Sequence, residues 1–370
     1  NFYRTERLEA QTGNDSMKFN YNGISQFSSI RNTASSSTLD RLGFKSEGTN
    51  LNLRYQNNTL IADSLFGIKY NLSNFDLNKY GFNHVTSEKT MGLYQNNNAS
   101  QLAILTDGIY KNIDFTVNTL DNQTSLLNAL SGLNLTYFKR APSQLFDQDA
   151  KSLNQRVAKN VSNSNKDFVT ITYRVIAPPH SQLYVSIPNI SWSDDNNHSL
   201  SITVNGVTRN QVTDNTFDFF DLGYFETESM VTIKLSFSGN KAISFDNPSF
   251  YALDTQNYQI AMDTINERDS KVTTSNNKVF VDYSSKTNAS LFFTIPYDKG
   301  WTATINHKKV KIHRAQKGFM KVDVPSGKGK VVLTFIPYGL KTGLLISLLA
   351  SIIFCCYAYF IRKITVIQKS

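Results

Sequence analysis

The chain has 370 residues, a formal net charge of +9 and only two cysteines. Its length suffices for two or three domains. Cys355 and Cys356 are adjacent inside an apolar run, so a disulfide-built scaffold is excluded.

Residues 1–140 read as a mixed α/β, membrane-proximal cap region. SSSTLDRLGF opens on a Ser cap run and sets Leu39, Leu42 and Phe44 at helical spacing. NNTLIADSLFGIKYNLS predicts a helix running into a strand, broken near Gly67. LAILTDGIY is a buried strand. LDNQTSLLNALSGL is an amphipathic helix with Leu120, Leu126, Leu127 and Leu130 on one face and Gly132 as its stop. Residues 140–166 are polar and read as a loop or linker.

From Phe168 the periodicity becomes two. FVTITYRVIA, QLYVSIPN, SLSITVNG, TFDFFDLGYF and MVTIKLSFSG are short β runs divided by Pro, Gly, Asn and Asp, which predicts an antiparallel sandwich over 141–250. A helix over NYQIAMDTINER follows, then a second β set from KVFVDYS to KVVLTFIP within 251–338. SITVNG and TATINH share a strand-to-turn pattern, and MVTIKLSF and KVVLTFIP occupy similar places, which suggests a duplicated sandwich of jelly-roll type.

Thr342 to Ile361 holds no charge and no Pro. At ~1.5 Å per residue such a helix crosses a hydrocarbon core of roughly 30 Å. The fold class is therefore an α+β ectodomain dominated by antiparallel sandwiches, followed by one transmembrane helix over 339–363 and a tail over 364–370. Arg362, Lys363 and Lys369 follow the span, so the C-terminus is expected in the cytoplasm and the preceding mass outside. An exterior domain without cysteine fits a bacterial surface better than a eukaryotic secretory route. The chain begins at Asn1 without an apolar leader, and the expectation is the C-terminal part of a larger polytopic protein.

Catalytic signatures are sparse. His84, His180, His198, His307 and His313 are scattered, with no metal-ligand spacing, so no metal is assigned. Asp147-Gln148-Asp149 matches a DxD pattern but reads as a solvated loop. Asp194-Asp195 and Asp218 with Asp221 are acid pairs at turns. Two binding surfaces stand out. The polar stretch at 28–59 offers Arg31, Asn32, Asn50, Arg54 and Tyr55, suited to phosphate and sugar hydroxyls or to a plain polar loop. Among the aromatics of the sandwiches, Trp192, Trp301, Tyr297 and Tyr338 could stack on sugars or fill a core. Lys299, Lys308, Lys309, Lys311, Arg314, Lys317, Lys321, Lys328, Lys330 and Lys341 face only Asp298 and Asp323. Such a block suits anionic head groups or wall polymer, not nucleic acid, or else forms solvated hairpin faces.

MKFNYNGISQFSSIRN, LGFKSEGTNLNLRYQNNTLIADSLFGIKYNLS, KYGF, LAILTDGIY, IPYDKGWTATINHKKV and FIPYGLKTGLLIS resemble the bacterial membrane protein YfhO family over most of the chain. The resemblance implies a polytopic GT-C-like glycosyltransferase using a polyprenyl-phosphate sugar as donor and a wall polymer of lipoteichoic acid type as acceptor, in Gram-positive bacteria. It implies a catalytic carboxylate in an early outer loop, upstream of these residues, so no catalytic residue is assigned and no other cofactor is expected. Residues 1–130 would cap the donor cavity of a membrane domain preceding this chain, and the sandwiches would position the acceptor. A non-catalytic, membrane-anchored module binding glycan or wall polymer is the alternative, and a sensor ectodomain a third reading.

Overall fold

The computed structural model describes residues 2–30, 32–46, 52–55, 58–148, 153–154, 157–158, 168–192, 198–213, 219–238 and 243–367. Antiparallel sheets dominate. The N-terminal sheet orders Arg4–Arg7, Ile68–Ser73, Met91–Asn96 and Phe82–Glu88, its first pair parallel. One short helix feeds it, and a second leads to the Lys45–Ser46 strand of a separate three-stranded sheet. Leu60–Leu65 starts at Thr59, whose hydroxyl accepts from the Ala62 N–H, and turns through Gly67 into the Ile68 strand, as the apolar pattern predicts. Thr33–Asp40 is capped by Asn32, whose side chain accepts from the Ser35 N–H. The serines expected to cap it instead lie inside its first turns.

The first sandwich packs two sheets over one apolar core that runs from Ala141 to Ala252. One sheet orders Ser143–Gln148, Phe168–Ala177, Ser229–Ser238, His198–Val204 and Val207–Thr213. The other orders Phe219–Phe225, Ser181–Ser186, Ser249–Asp254 and Phe138–Arg140. The second sandwich repeats the scheme. Its five strands are Ser270–Ser275, Lys278–Ser285, Gly327–Phe335, Trp301–Ile305 and Lys308–Val310. Its four are His313–Ala315, Phe319–Val324, Ala289–Pro296 and Ala103–Leu105.

The internal repeat is visible in register. Asn205-Gly206 and Asn306-His307 both adopt the left-handed region that a tight hairpin turn requires. In each, the Asn side chain accepts from a neighbouring strand, from Thr232 N–H at 3.0 Å and from Lys330 N–H at 2.9 Å. Thr232 therefore corresponds to Lys330, and the aligned segments are IKLSF and VVLTF. This is two residues off the alignment the sequence suggested, a slip that preserves which side chains face the core.

The two units also exchange strands. Leu183, Tyr184 and Val185 pair with Ala252, Tyr251 and Phe250, while Leu291, Phe292 and Phe293 pair with Leu105, Ile104 and Ala103. The strand preceding each sandwich's leading helix thus lies in the other sandwich. Those helices, Thr119–Ser131 and Thr255–Asn266, pack together. They bury Leu126, Leu127 and Leu130 against Tyr258, Ala261 and Met262 in a central core that also takes Tyr184 and Phe292.

The linker expected over 140–166 is partly β: Ser143–Gln148 pairs with the Phe168–Ala177 strand. At the other end Leu340–Ile367 is one helix. Its Leu340–Arg362 portion has mean hydropathy 2.4 and no buried residues, and among the described residues it alone is long and apolar enough to cross a membrane.

Candidate functional site

The segment that leads from the second sandwich into the apolar helix packs on a turn formed by Asp298-Lys299-Gly300-Trp301. The Asp298 carboxylate accepts from the Gly300 N–H at 2.6 Å, and the Gly300 carbonyl accepts from the Ile336 N–H at 3.0 Å. Gly300 is needed for the approach: a Cβ there would stand 2.4 Å from the Ile336 carbonyl oxygen. The Trp301 ring lies 5.0 Å from Phe335, tilted at 47°. This turn and the Lys308–Val310 hairpin border an open recess of about 280 Å³ lined by Tyr297, Lys299, Trp301, Lys309 and Lys311, with Asp298 as its one acid. Arg314 stands over the Tyr297 ring at 4.4 Å, and Lys299 approaches Tyr338, itself 80% exposed.

A second recess of about 130 Å³ lies between the N-terminal region and the second sandwich. Arg4, Ser35, Ser36, Leu53, Phe66 and Thr294 line it. Arg4 donates to the Phe66 carbonyl at 2.6 Å and the Thr294 carbonyl at 2.7 Å, and burial pulls its guanidinium down to about 10. The recess is mostly apolar and small.

The residues singled out in the sequence separate accordingly. Trp301 and Lys309 share the membrane-proximal cavity, and Lys308 sits exposed on the same hairpin. Asn32 joins them from a distance of 265 residues, its amide donating to the Tyr297 carbonyl at 2.7 Å. Arg54 ends the Asn52–Arg54 strand opposite Lys45. Tyr55 is 2% exposed and its hydroxyl donates to Asp63 at 3.1 Å, so it faces the core rather than a ligand. Arg31 and Asn50 lie outside the described residues, as do Asp149, Asp194, Asp195 and Asp218. Asp147 lies in the edge strand, and Asp221 is buried, accepting from Gln182 at 2.8 Å and the Gly223 N–H at 2.9 Å. Among the described residues no three His, Cys, Asp or Glu side chains gather for a metal ion.

A buried ionic cluster escaped the sequence reading. Asp63 and Lys79 pair with neither side chain accessible, and burial pushes the Asp63 carboxyl up to about 6 against the pull of Lys79. Glu6 accepts from the Ile24 and Ser25 N–H groups and the Ser25 hydroxyl. The visible signal was Asp63 alone among Leu60, Ile61, Ala62 and Leu65. A charge inside so apolar a helix demands a buried partner.

Interlocked sandwiches followed by an apolar helix long enough to cross a membrane define a membrane-associated β-sandwich protein. The chain belongs to the bacterial membrane protein YfhO family, whose sequence profile matches residues 1–347. The uncharacterized protein YfhO of Bacillus subtilis (strain 168) is 26% identical over 135 residues, 34% of this chain and 16% of that protein. Among solved structures, a Paenibacillus sp. cycloisomaltooligosaccharide glucanotransferase complexed with cycloisomaltoheptaose aligns at 8% identity and TM-score 0.22, over 57% of this chain and 50% of that one. A glycosylation-associated protein (Gap123) complex from Streptococcus agalactiae aligns at 10% identity and TM-score 0.20, over 40% and 30%. At such scores neither carries an inference.

Proposed function

We propose that this chain is the outward-facing portion, with a membrane helix, of a polytopic glycosyltransferase. The parent enzyme moves a sugar from a polyprenyl-phosphate donor to an anionic wall polymer of lipoteichoic acid type. A lipid-borne donor needs no nucleotide-binding domain, and its phosphate is presented at the interface where basic side chains reach it. The observation that carries the reading is the Asn32–Tyr297 hydrogen bond. It joins the polar N-terminal segment proposed to cap the donor to the loop residue Tyr297 that lines the cavity near the start of the apolar helix. Arg31 and Arg54 contact the donor phosphate, and the sandwiches position the acceptor. Catalytic groups belong to the membrane domain.

Wall-polymer composition in a deletion strain tests this reading. Loss of one sugar substituent, restored by the wild-type gene and not by an Arg31→Ala, Arg54→Ala variant expressed at the same level, is the expected result. Unchanged polymer in the deletion strain sinks it. Protease added to intact cells should digest the sandwiches; digestion only after lysis would reverse the proposed sidedness. The alternative, an anchored module that binds wall polymer without catalysis, draws on the same aromatic and cationic cavity. It predicts polymer of normal composition but lower retention at the membrane.

A further inference from the structure

The cavity at Trp301 lies close to the start of the apolar helix. Trp301 pairs with Phe335, the last residue of its strand, and only residues 336–339 intervene before the helix begins at Leu340. An extended chain of four residues reaches at most ~14 Å. Here it is shorter, because Leu340 N–H folds back to the Pro337 carbonyl at 3.1 Å. The cavity mouth therefore lies within about 14 Å of the start of the apolar helix, a reach that includes the head-group layer of roughly 5–8 Å beside the hydrocarbon core.

We propose that this cavity seats the phosphate head group of an anionic membrane phospholipid, with Lys309 and Lys311 as its charge partners and Trp301 at the glycerol level. Three independent features converge on that ligand. Lys299, Lys309 and Lys311 line the cavity against Asp298 alone, and the Asp298 carboxylate is engaged by the Gly300 N–H at 2.6 Å. Trp301 and the exposed Tyr338 bring amphipathic rings to the place where membrane proteins concentrate them. The volume, about 280 Å³, is at the small end for ligand sites and accommodates one compact head group rather than a stretch of polymer. A lipid bound there would bear on the tilt of the sandwich through the Gly300–Ile336 hydrogen bond. The inference stands whether or not the parent protein transfers sugar.

Trp192 and Trp301 are the only tryptophans, so Trp192→Phe makes Trp301 a single reporter. The test uses the full chain in nanodiscs carrying brominated phosphatidylglycerol or, at the same fraction, brominated phosphatidylcholine. Trp301 should be quenched more strongly by the anionic lipid. At ~1 kcal/mol per lysine near an anionic surface, Lys309→Ala with Lys311→Ala should cut that preference by a factor of roughly 30. The same difference measured with both tryptophans present covers the case of a poorly folding Trp192→Phe chain. Equal quenching by the two lipids, or a preference unchanged in the double variant, overturns the proposal. So does displacement of the quencher by a trace of undecaprenyl phosphate and not by excess unbrominated phosphatidylglycerol, a result that would assign the cavity to the sugar donor instead.

Discussion

Arg268, two residues beyond the Thr255–Asn266 helix, donates to the Leu105 carbonyl at 2.7 Å across 163 positions of chain. The same guanidinium reaches the Leu130 carbonyl at 2.6 Å and the Ser131 carbonyl. One cation therefore closes the C-terminal end of the Thr119–Ser131 helix and holds the strand that this region lends to the second sandwich. Carbonyls at a helix end have no partner within the helix, so a guanidinium there satisfies them and complements the dipole.

Arg268→Met should cost about 2–4 kcal/mol, since two or three half-buried carbonyls lose their donor. Leu105→Ala, in a side chain 3% exposed, should cost a similar ~2–5 kcal/mol. Because Leu105 belongs to the second sandwich's core, both variants should raise hydrogen exchange in Lys278–Ser285 and Gly327–Phe335 together with the N-terminal sheet. Faster exchange confined to residues 1–140 would show that the exchanged strand does not couple the units.

The buried acids set a pH dependence with a definite sign. Burial pushes the Glu6 carboxyl up to about 7 from an ordinary 4.5, opposed by its hydrogen bonds from Ile24 and Ser25. The folded state then holds more protons than the unfolded state between those values, so stability falls as pH rises through that window. Asp63, raised to about 6, acts in the same direction. At ~1.4 kcal/mol per unit, Glu6 alone is worth roughly 3 kcal/mol between its two limits. The melting temperature should climb as the buffer is taken from about pH 8 to about pH 5, and Glu6→Gln should flatten the climb. A variant with the wild-type slope would remove Glu6 as the cause.

The Asp63–Lys79 pair is tested by comparing single and double changes. Asp63 has one oxygen without a hydrogen-bond partner, so its charge rests on Lys79 and on Tyr55. Lys79→Met leaves a buried anion and should cost about 3–5 kcal/mol, whereas Asp63→Asn combined with Lys79→Met should recover most of that loss. Equal melting temperatures for the single and double variants would show that the pair is uncoupled.

Most helices and strands were legible because their apolar periods match the faces they bury; Leu126, Leu127 and Leu130 are all within the core. The Ser143–Gln148 strand was not. Its large apolar residues, Leu145 and Phe146, are adjacent and exposed, and Phe146 is covered by the Arg174 guanidinium at 3.8 Å. An edge strand whose apolar side chains face outward leaves no inward alternation to read. Strand exchange was equally hidden, because three residues, Ala103 to Leu105, read as a buried strand whichever sandwich receives them. At the site, the basic block pointed to Lys309 and the aromatic count to Trp301. The link through Asn32 depends on a contact across the whole fold, and Tyr55 looked available only because its buried partner Asp63 was unseen.

The junction between sandwich and membrane helix depends on Gly300 having no side chain. An added Cβ would meet the Ile336 carbonyl oxygen at 2.4 Å and the Phe335 ring at 2.8 Å. Neither can yield easily: Ile336 is bonded back to Gly300, and Phe335 is held by Trp301 on the paired strand. Gly300→Ala should therefore cost about 1–3 kcal/mol, as overpacking does elsewhere, and open the turn that shapes the cavity. Gly343→Ala is the matched control, since a Cβ there meets open space inside the helix, and alanine favours helix by ~1 kcal/mol. Thermal melting of the full chain in nanodiscs, and Trp301 emission in the Trp192→Phe background, separate the two. Gly300→Ala should melt earlier with a shifted Trp301 spectrum, and Gly343→Ala should melt no earlier than the wild type and leave that spectrum unshifted. A Gly300→Ala chain with wild-type melting and emission would mean that the sandwich is not fixed to the membrane helix through this contact.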